Sequence, residues 1–292
     1  MKILDGGFGR ELARRGAPFR QPEWSALALT EAPEIVKEVH LDFIRAGAEV
    51  ITTNNYAVVP FHIGEERFEN EVKQLVQIAV DQAKQAVIES DKNVLIAGCL
   101  PPLFGSYRAD LFQKDKAEKL AHPIIETLSP HVDFWLAETQ SCIAEVEAVH
   151  ALLPKDNREF WVSFTLQDEI QNQQPLLRSG ETIEQVIELL SRIKADAVLF
   201  NCCQPEVILQ AIKAIKIALP EIIQVGAYAN AFPPQNSEAT ANDGLDEIRA
   251  DLNPDLYLNF AKQWEQAGAT LIGGCCGIGP EHISALSNLF KK

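Results

Sequence analysis

Eight short apolar runs, each followed by a segment with helical character, constrain the fold of this chain more than any other feature. The runs are almost continuously apolar, which is typical of strands buried on both faces of a parallel sheet. They cover residues 2–5, 49–53, 94–98, 134–138, 160–165, 197–201, 222–227 and 269–273. This pattern predicts an α/β fold in which parallel strands alternate with helices along the whole chain.

Segments with helical periodicity separate these runs. Ile35, Val39, Phe43 and Ala46 share one face of a helix predicted over residues 33–46. Further helices are predicted over residues 66–88, 144–153, 183–194 and 206–218. Eight strand–helix units in 292 residues predict a (β/α)8 TIM barrel, with a doubly wound sheet as the alternative that needs fewer strands. No linker divides the chain, so we expect a single domain over residues 1–292.

Charge and hydropathy exclude several classes of partner. The 41 acidic residues outnumber the 26 basic ones and give a net charge of −15. Because nucleic-acid binding depends on Lys and Arg displacing counterions, we expect no nucleic-acid partner. No apolar stretch reaches the roughly 20 residues that a membrane-spanning helix needs, and the first apolar run is too short for a signal peptide. We therefore expect a cytoplasmic protein that acts on small molecules.

Polar and thiol groups follow the apolar runs at the points where strands should end. In a TIM barrel the carboxyl ends of the strands carry the active site. The groups placed there are Asp5, Thr53, Asn54, Asn55, Tyr56, Glu138, Thr139, Asn201, Cys202, Cys203, Cys275 and Cys276. Asp5 taken alone fits a turn cap equally well. The longest irregular stretch, residues 231–254, follows the seventh strand and is predicted to lie over this face as a loop.

Two adjacent cysteine pairs give the sharpest chemical signal. Cys275 and Cys276 lie between glycines, which allow the turn that two neighbouring side chains need in order to bind one ion. A third thiolate can come from Cys202 or Cys203. Three sulfur ligands with one open position are typical of catalytic zinc, and such an ion activates a substrate thiol as its thiolate.

Other interpretations of the cysteines and the nearby glycines stay open at this point. Cys275 and Cys276 fit burial in the core, and residues 277–280 fit an anion site at a helix start. Cys99 and Cys142 are predicted to be small buried hydrophobic residues. A disulfide framework is not expected, because the predicted compartment is reducing.

The ordered set of motifs resembles the homocysteine S-methyltransferase family over nearly the whole chain. The opening at residues 5–12 is similar to the family's Asp-Gly-Gly start, and residues 52–56 are similar to its second-strand motif. Glu138-Thr139, Asn201-Cys202-Cys203 and Gly273-Gly274-Cys275-Cys276 complete the set. The resemblance implies a zinc-dependent enzyme with a TIM barrel that methylates homocysteine to methionine.

The same resemblance implies roles for individual residues. Cys202, Cys275 and Cys276 correspond to the zinc ligands, which makes Cys203 a neighbour of the site. Asp5 and Glu138 correspond to the acidic groups that hold the homocysteine ammonium. Backbone amides near Gly6 and the second strand correspond to the groups that meet its carboxylate.

Several positions differ from the family pattern where the methyl donor should approach. Arg10 replaces the usual Thr, Asn55 replaces Thr or Ser, residues 277–279 replace Arg-Thr-Thr, and Ala229 and Ala231 replace Pro and Ser. These differences leave the identity of the methyl donor open.

S-methylmethionine is our first expectation for the donor, and S-adenosylmethionine is the second. A betaine-type donor is the alternative, but a quaternary ammonium prefers an aromatic cage, and only Tyr56 and Tyr228 stand at predicted strand ends. A non-catalytic barrel that binds zinc and an amino acid is the alternative from another functional class.

Overall fold

Eight parallel strands form the centre of the molecule, which is described by a computed structural model covering residues 1–169, 174–219, 223–235 and 247–291. Each strand pairs with its neighbours in the order β1-β8-β7-β6-β5-β4-β3-β2. The strands are β1 (Lys2–Ile3), β2 (Val50–Thr52), β3 (Leu95–Leu100), β4 (Phe134–Gln140), β5 (Phe160–Phe164), β6 (Ala197–Asn201), β7 (Gln224–Tyr228) and β8 (Leu271–Ile272). All eight lie at their predicted places, although residue 222 of the seventh predicted run is outside the described residues.

The two ends of this sheet meet at β1 and β2. Leu4 pairs with Val50 in a parallel bridge, and the amide of Glu49 donates to Ile3 O at 2.8 Å. The amide of Asp5 donates to Val50 O at 3.0 Å. These bonds close the sheet into the predicted (β/α)8 TIM barrel, so the doubly wound alternative is wrong.

Helices surround the barrel and follow the strands in turn. They are α1 (Phe8–Arg14), α2 (Ala26–Glu31), α3 (Pro33–Ala46), α4 (Pro60–Ile63), α5 (Glu65–Ser90), α6 (Lys114–Leu128), α7 (Ile143–Leu152), α8 (Ile183–Ile193), α9 (Pro205–Ala218), α10 (Pro254–Gln266) and α11 (Pro280–Phe290). The start of α8 shows a local cause: Thr182 Oγ1 accepts from the Gln185 amide while the Gln185 side chain accepts from the Thr182 amide. The five predicted helices are confirmed to within two residues at each end.

Alternate residues of each strand point into the barrel, where they form a separate buried cluster. Its members are Leu4, Val50, Ala97, Phe134, Leu136, Trp161, Ala197, Leu199, Tyr228 and Leu271. Because large side chains fill this interior, the barrel has no central pore and a ligand site can form only at its mouth. The next inward position beyond this layer falls on Cys99 in β3, Glu138 in β4 and Asn201 in β6.

The outer face of the sheet packs against the helices in one large apolar cluster that includes Phe43, Trp135, Phe164, Phe200 and Trp264. Within the described ranges, no helix is both long enough and apolar enough to cross a bilayer.

Candidate active site

Three cysteine side chains converge at the carboxyl ends of the strands. The sulfur atoms of Cys202, Cys275 and Cys276 all lie within 4.8 Å of one another. Cys202 directly follows β6, and the other two follow β8. Cys203, the adjacent residue, is fully buried in the core cluster and does not join this group.

Backbone hydrogen bonds to the end of β7 set the separation of these segments. The Asn230 amide donates to Cys203 O at 3.2 Å, and the Cys275 amide donates to Ala229 O at 2.9 Å. Cys202 has a φ of 50°, a left-handed conformation that turns it out of the strand. Gly277, with a φ of 83°, continues the turn after the cysteine pair. The predicted break in the strand at Cys275 is therefore present.

Cys202 and Cys275 form a disulfide in this structure, with Cα atoms 5.7 Å apart. This single pairing arises because the converging segments bring the two thiols within the ordinary Cα separation of a bridge. Cys99, Cys142, Cys203 and Cys276 are not disulfide-bonded.

The reduced cysteine cluster fits a metal ion. Cys202 is buried, whereas Cys275 and Cys276 are partly exposed to a cavity of about 220 Å³ at the barrel mouth. Three thiolates form a soft ligand set, and the exposed side leaves room for a fourth ligand from the cavity. The anion site proposed for residues 277–280 is less compatible, because the Ile278 amide donates to Cys275 O at 3.0 Å, the Gly279 amide donates to His282 Nδ1 at 3.2 Å, and Pro280 has no amide hydrogen.

Asp5 lies in the same cavity and connects β1 to β2. Its Oδ2 accepts a hydrogen bond from the Thr52 amide at 2.8 Å, which links strand ends rather than capping the turn that follows. The pKa of Asp5 is raised to about 8, mainly because the carboxyl is buried; the Thr52 amide lowers the pKa and the nearby Glu138 raises it.

Glu138 lies opposite Asp5 on β4. Burial raises the pKa of its carboxyl to about 7, although the Cys99 thiol and the nearby Tyr228 hydroxyl lower it. Among the described residues, no basic side chain contributes to either pKa shift, so these two mutually repelling, partly buried carboxyls are prepared for a positively charged group.

Cys99 has a role that its prediction as a small hydrophobic residue did not include. It is fully buried, as predicted, but its Sγ donates to Glu138 Oε2 at 3.4 Å. Burial and the adjacent carboxyl raise the pKa of this thiol, so it remains a donor. Strand alternation could have revealed this contact, because Leu95, Ala97 and Cys99 share the inward face of β3.

Asn201 holds the ends of three neighbouring strands together. Its side-chain amide donates to Thr139 Oγ1 at 2.7 Å, and its carbonyl accepts from Ser163 Oγ at 2.7 Å. All three residues are buried. This network fixes the residue directly before Cys202 and therefore limits where the thiol can point.

Aromatic side chains form much of the cavity wall, which corrects the expectation of an aromatic-poor mouth. The aromatic lining residues are Phe8, Phe19, Trp24, Tyr56, Tyr107, Tyr228 and Phe232. Most of them come from loops and from α1, which lie outside the strand ends where the sequence pattern predicts site residues. An aromatic cage is consequently available for either a sulfonium or a quaternary ammonium group.

A buried ion pair anchors the segment after β7 that carries part of this wall. Arg178 Nη2 lies 3.0 Å from Asp168 Oδ2, and the two side chains are 4% and 0% exposed. Asp168 also accepts from the amides of Gln204 at 2.8 Å and Gln235 at 2.7 Å. The Arg178 guanidinium stacks over Tyr107 at 4.8 Å. Residues 236–246 of the predicted long loop lie outside the described residues.

Removing Asp168 should destabilise the protein strongly. Asp168→Ala leaves the buried Arg178 without its counter-charge, and we expect the free energy of unfolding to fall by about 3–5 kcal/mol. Urea denaturation measures this change. Glu69→Ala is the matched control, because Glu69 pairs with Lys119 on the exposed surface, where solvent screens the interaction. Equal denaturation midpoints for the two variants would contradict the anchoring role.

Comparisons with known proteins agree with this geometry. A family model described as homocysteine S-methyltransferase matches residues 2–290. The homocysteine S-methyltransferase of Escherichia coli (strain K12) is 31% identical over 97% of this chain and 93% of its own length. Homocysteine S-methyltransferase 1 of Brassica oleracea var. italica is 28% identical over 99% of this chain and 93% of its own length.

The structural comparison gives the same result. The crystal structure of the homocysteine methyltransferase MmuM from Escherichia coli, in a metallated form, superposes with a TM-score of 0.79. The match has 29% sequence identity and covers 99% of this chain and 96% of that chain.

Proposed function

The chain belongs to the homocysteine S-methyltransferase family, and from that premise we propose that it is a zinc-dependent enzyme whose methyl donor is S-methylmethionine. The observation that carries the proposal is the presence of three clustered cysteine sulfurs and two partly buried carboxyls on one cavity. Such a cavity can hold a thiol at a metal and the ammonium of the same amino acid at the carboxyls.

Cys202, Cys275 and Cys276 would hold the zinc ion once the Cys202–Cys275 disulfide is reduced. When bound, the ion supplies the Lewis acid that keeps the acceptor sulfur as a thiolate near neutral pH, where a free thiol with a pKa of about 8.5 is mostly protonated. Cys202 is buried and only Cys275 and Cys276 are partly exposed, so the acceptor thiol approaches the site from the cavity.

Asp5 and Glu138 bind the homocysteine ammonium in this proposal, and Gly6 brings its backbone amide to the carboxylate. A Cβ at Gly6 would lie 2.4 Å from Ile278 O and 2.7 Å from Phe43 Cε1, so only glycine allows this approach. The Cys99 thiol donates a hydrogen bond to Glu138 and orients its carboxyl. These contacts fix the amino acid at one end while its sulfur points at the cysteines.

The reaction forms one bond and breaks one. The homocysteine thiolate attacks the methyl carbon of the sulfonium, a new carbon–sulfur bond forms, and the donor's methyl–sulfur bond breaks with its electron pair returning to sulfur. With S-methylmethionine as donor, both products are methionine, and the thiol proton is released to solvent. Anion and cation neutralise each other along this path, so a cavity with aromatic walls favours it.

A donor screen tests the proposal. Methionine formed from isotopically labelled homocysteine is quantified with S-methylmethionine, S-adenosylmethionine, betaine and methyltetrahydrofolate at equal concentration. We expect S-methylmethionine to be used fastest, because a sulfonium methyl is a better electrophile than a quaternary ammonium methyl. The aromatic wall favours betaine as the second candidate, and faster turnover with betaine would overturn the donor assignment. Zinc and homocysteine binding without any methionine would indicate a non-catalytic barrel.

Ligand binding at the two carboxyls should strengthen as pH rises. In the free protein the raised pKa values, about 7 for Glu138 and about 8 for Asp5, leave both groups largely protonated below neutrality. An ammonium stabilises the carboxylates, so binding must release protons. Methionine, which has no thiol proton to lose, should bind about fivefold tighter at pH 7 than at pH 6 if only Glu138 ionises on binding, and about fiftyfold tighter if both carboxyls ionise.

Isothermal titration calorimetry measures this effect directly. Titrations of methionine in two buffers with different ionisation enthalpies give the number of protons released, and Glu138→Gln should release fewer. An affinity that is constant between pH 6 and pH 8, with no proton release, would exclude these carboxyls as the ammonium site.

A further inference from the structure

The groups that contact homocysteine leave the carboxylate of the methyl donor without a cationic partner. Both proposed substrates carry an ammonium and a carboxylate. Asp5, Glu138 and the amide of Gly6 account for the two charged groups of homocysteine, and the aromatic wall accounts for the donor's sulfonium. The donor's carboxylate still needs a cation. Across the described ranges, Arg10 is the only Lys or Arg that lines the cavity.

Arg10 reaches into the cavity from the barrel's first loop-to-helix transition. It is the third residue of α1, which begins two residues after Gly6. Its guanidinium carbon lies 5.5 Å from the centroid of the Phe232 ring, on the segment after β7. The side chain therefore crosses from the β1 side of the cavity to the β7 side, and stacking on Phe232 holds its planar group in place.

Next to Arg10, the aromatic ring of Phe19 packs against the backbone of Gly9. A Cβ at Gly9 would lie 2.7 Å from Phe19, so glycine lets that ring pack directly against the helix backbone. Phe19 in turn meets Trp24 edge-on, with ring centroids 5.3 Å apart. These rings can contact the cationic group of a ligand, and the Arg10 guanidinium can bind its anionic group. Together they match a short zwitterion.

We propose that Arg10 binds the carboxylate of the methyl donor and selects donors that carry one. The proposal rests on the methyl-transfer function above but adds a determinant of donor choice. A guanidinium repels a bare sulfonium cation and attracts a donor whose carboxylate neutralises it, so Arg10 both favours zwitterionic donors and disfavours donors without a carboxylate. Threonine, which occupies this position in the family pattern, has no charge with which to do either.

The test compares two sulfonium donors on the zinc-loaded, full-length protein. One is S-methylmethionine, and the other is its decarboxylated counterpart, the aminopropyl dimethylsulfonium ion. We expect Arg10→Ala and Arg10→Thr to lower kcat/KM for S-methylmethionine about ten- to a hundredfold, mainly through KM, because a charge-assisted hydrogen bond is lost. Activity with the decarboxylated donor should stay the same or rise, and Arg10→Lys should retain part of the preference.

Two controls separate this role from general effects. Arg20→Ala removes a cation from the same loop region, but that side chain is 65% exposed and does not line the cavity, so donor preference should not change. The KM for homocysteine should also be unaffected in the Arg10 variants. An increase in that KM would assign Arg10 to the acceptor and overturn the proposal, as would an equal loss of activity with both donors.

Calorimetric binding of the two donors in the absence of homocysteine keeps the test independent of turnover. If the wild-type protein forms no methionine from either donor, the proposed function fails while the binding preference still decides the role of Arg10. Tighter binding of S-methylmethionine that disappears in Arg10→Ala supports the proposal, and equal binding of both donors by the wild-type protein overturns it.

Discussion

Replacing Cys275 with Ser is expected to remove the bound zinc and to lower the rate of methionine formation by more than about a hundredfold. Substitutions of groups that merely support a metal ligand already cost about ten- to a hundredfold, so the loss of a ligand should cost more. The same result is expected for Cys202→Ser and Cys276→Ser, because each removes one of the three sulfur atoms that converge at the barrel mouth.

Metal analysis of the reduced, purified variants measures the first half of this prediction, and methionine quantified by mass spectrometry measures the second. Cys203→Ser is the matched control, since this residue is adjacent to Cys202 yet lies fully buried in the apolar core. We expect it to retain about one zinc per chain. Full zinc retention in all three ligand variants would refute the assignment of the metal site.

The second large effect is expected at Glu138. Glu138→Gln removes one of the two carboxylates proposed to hold the homocysteine ammonium and leaves that cation incompletely paired in a buried site. Such a loss costs about 2–5 kcal/mol, which corresponds to roughly thirtyfold to several thousandfold in kcat/KM for homocysteine. Zinc content should be unchanged, because no contact of Glu138 with the cysteine cluster is needed to hold the ion.

Steady-state kinetics with homocysteine as the varied substrate provide the measurement. Glu145→Gln is the control, because Glu145 is also a buried carboxyl whose pKa burial raises to about 7, but it accepts from the Ser141 and Cys142 amides away from the cavity. Asp5→Asn should behave like Glu138→Gln. Unchanged kinetic parameters in Glu138→Gln would remove this residue from the acceptor site.

The order of strands and helices could be predicted because each element carries its own signal. A strand buried on both faces must be apolar throughout, and a helix on the outside must be apolar on one face only, so the two alternate visibly along the chain. The break after β8 was predictable for a similar reason, since glycines surround Cys275 and Cys276 and allow the turn. The single domain over residues 1–292 and the roles of Asp5, Gly6 and Glu138 stay predictions.

The walls of the cavity could not be predicted in the same way. Phe8, Phe19 and Phe232 come from loops and a short helix that have no periodic pattern, and their proximity depends on closure of the whole barrel. Strand alternation places Cys99 on the inward face of β3, but its contact with Glu138, 39 positions further along the chain, depends on the pairing of β3 with β4. The disulfide between Cys202 and Cys275 likewise depends on the meeting of segments 73 residues apart.

The sequence by itself determined the strand and helix order, the barrel class and the residue types available for chemistry, because burial and backbone geometry act over a few neighbouring residues. The choice of Cys202 over Cys203 depended at first on resemblance alone. The tertiary structure separated them physically, since the left-handed turn at Cys202 directs one thiol to the mouth and leaves the other in the core. Only the closed barrel brings Arg10 and Phe232 to the same cavity, because long-range contacts follow from packing rather than from local sequence.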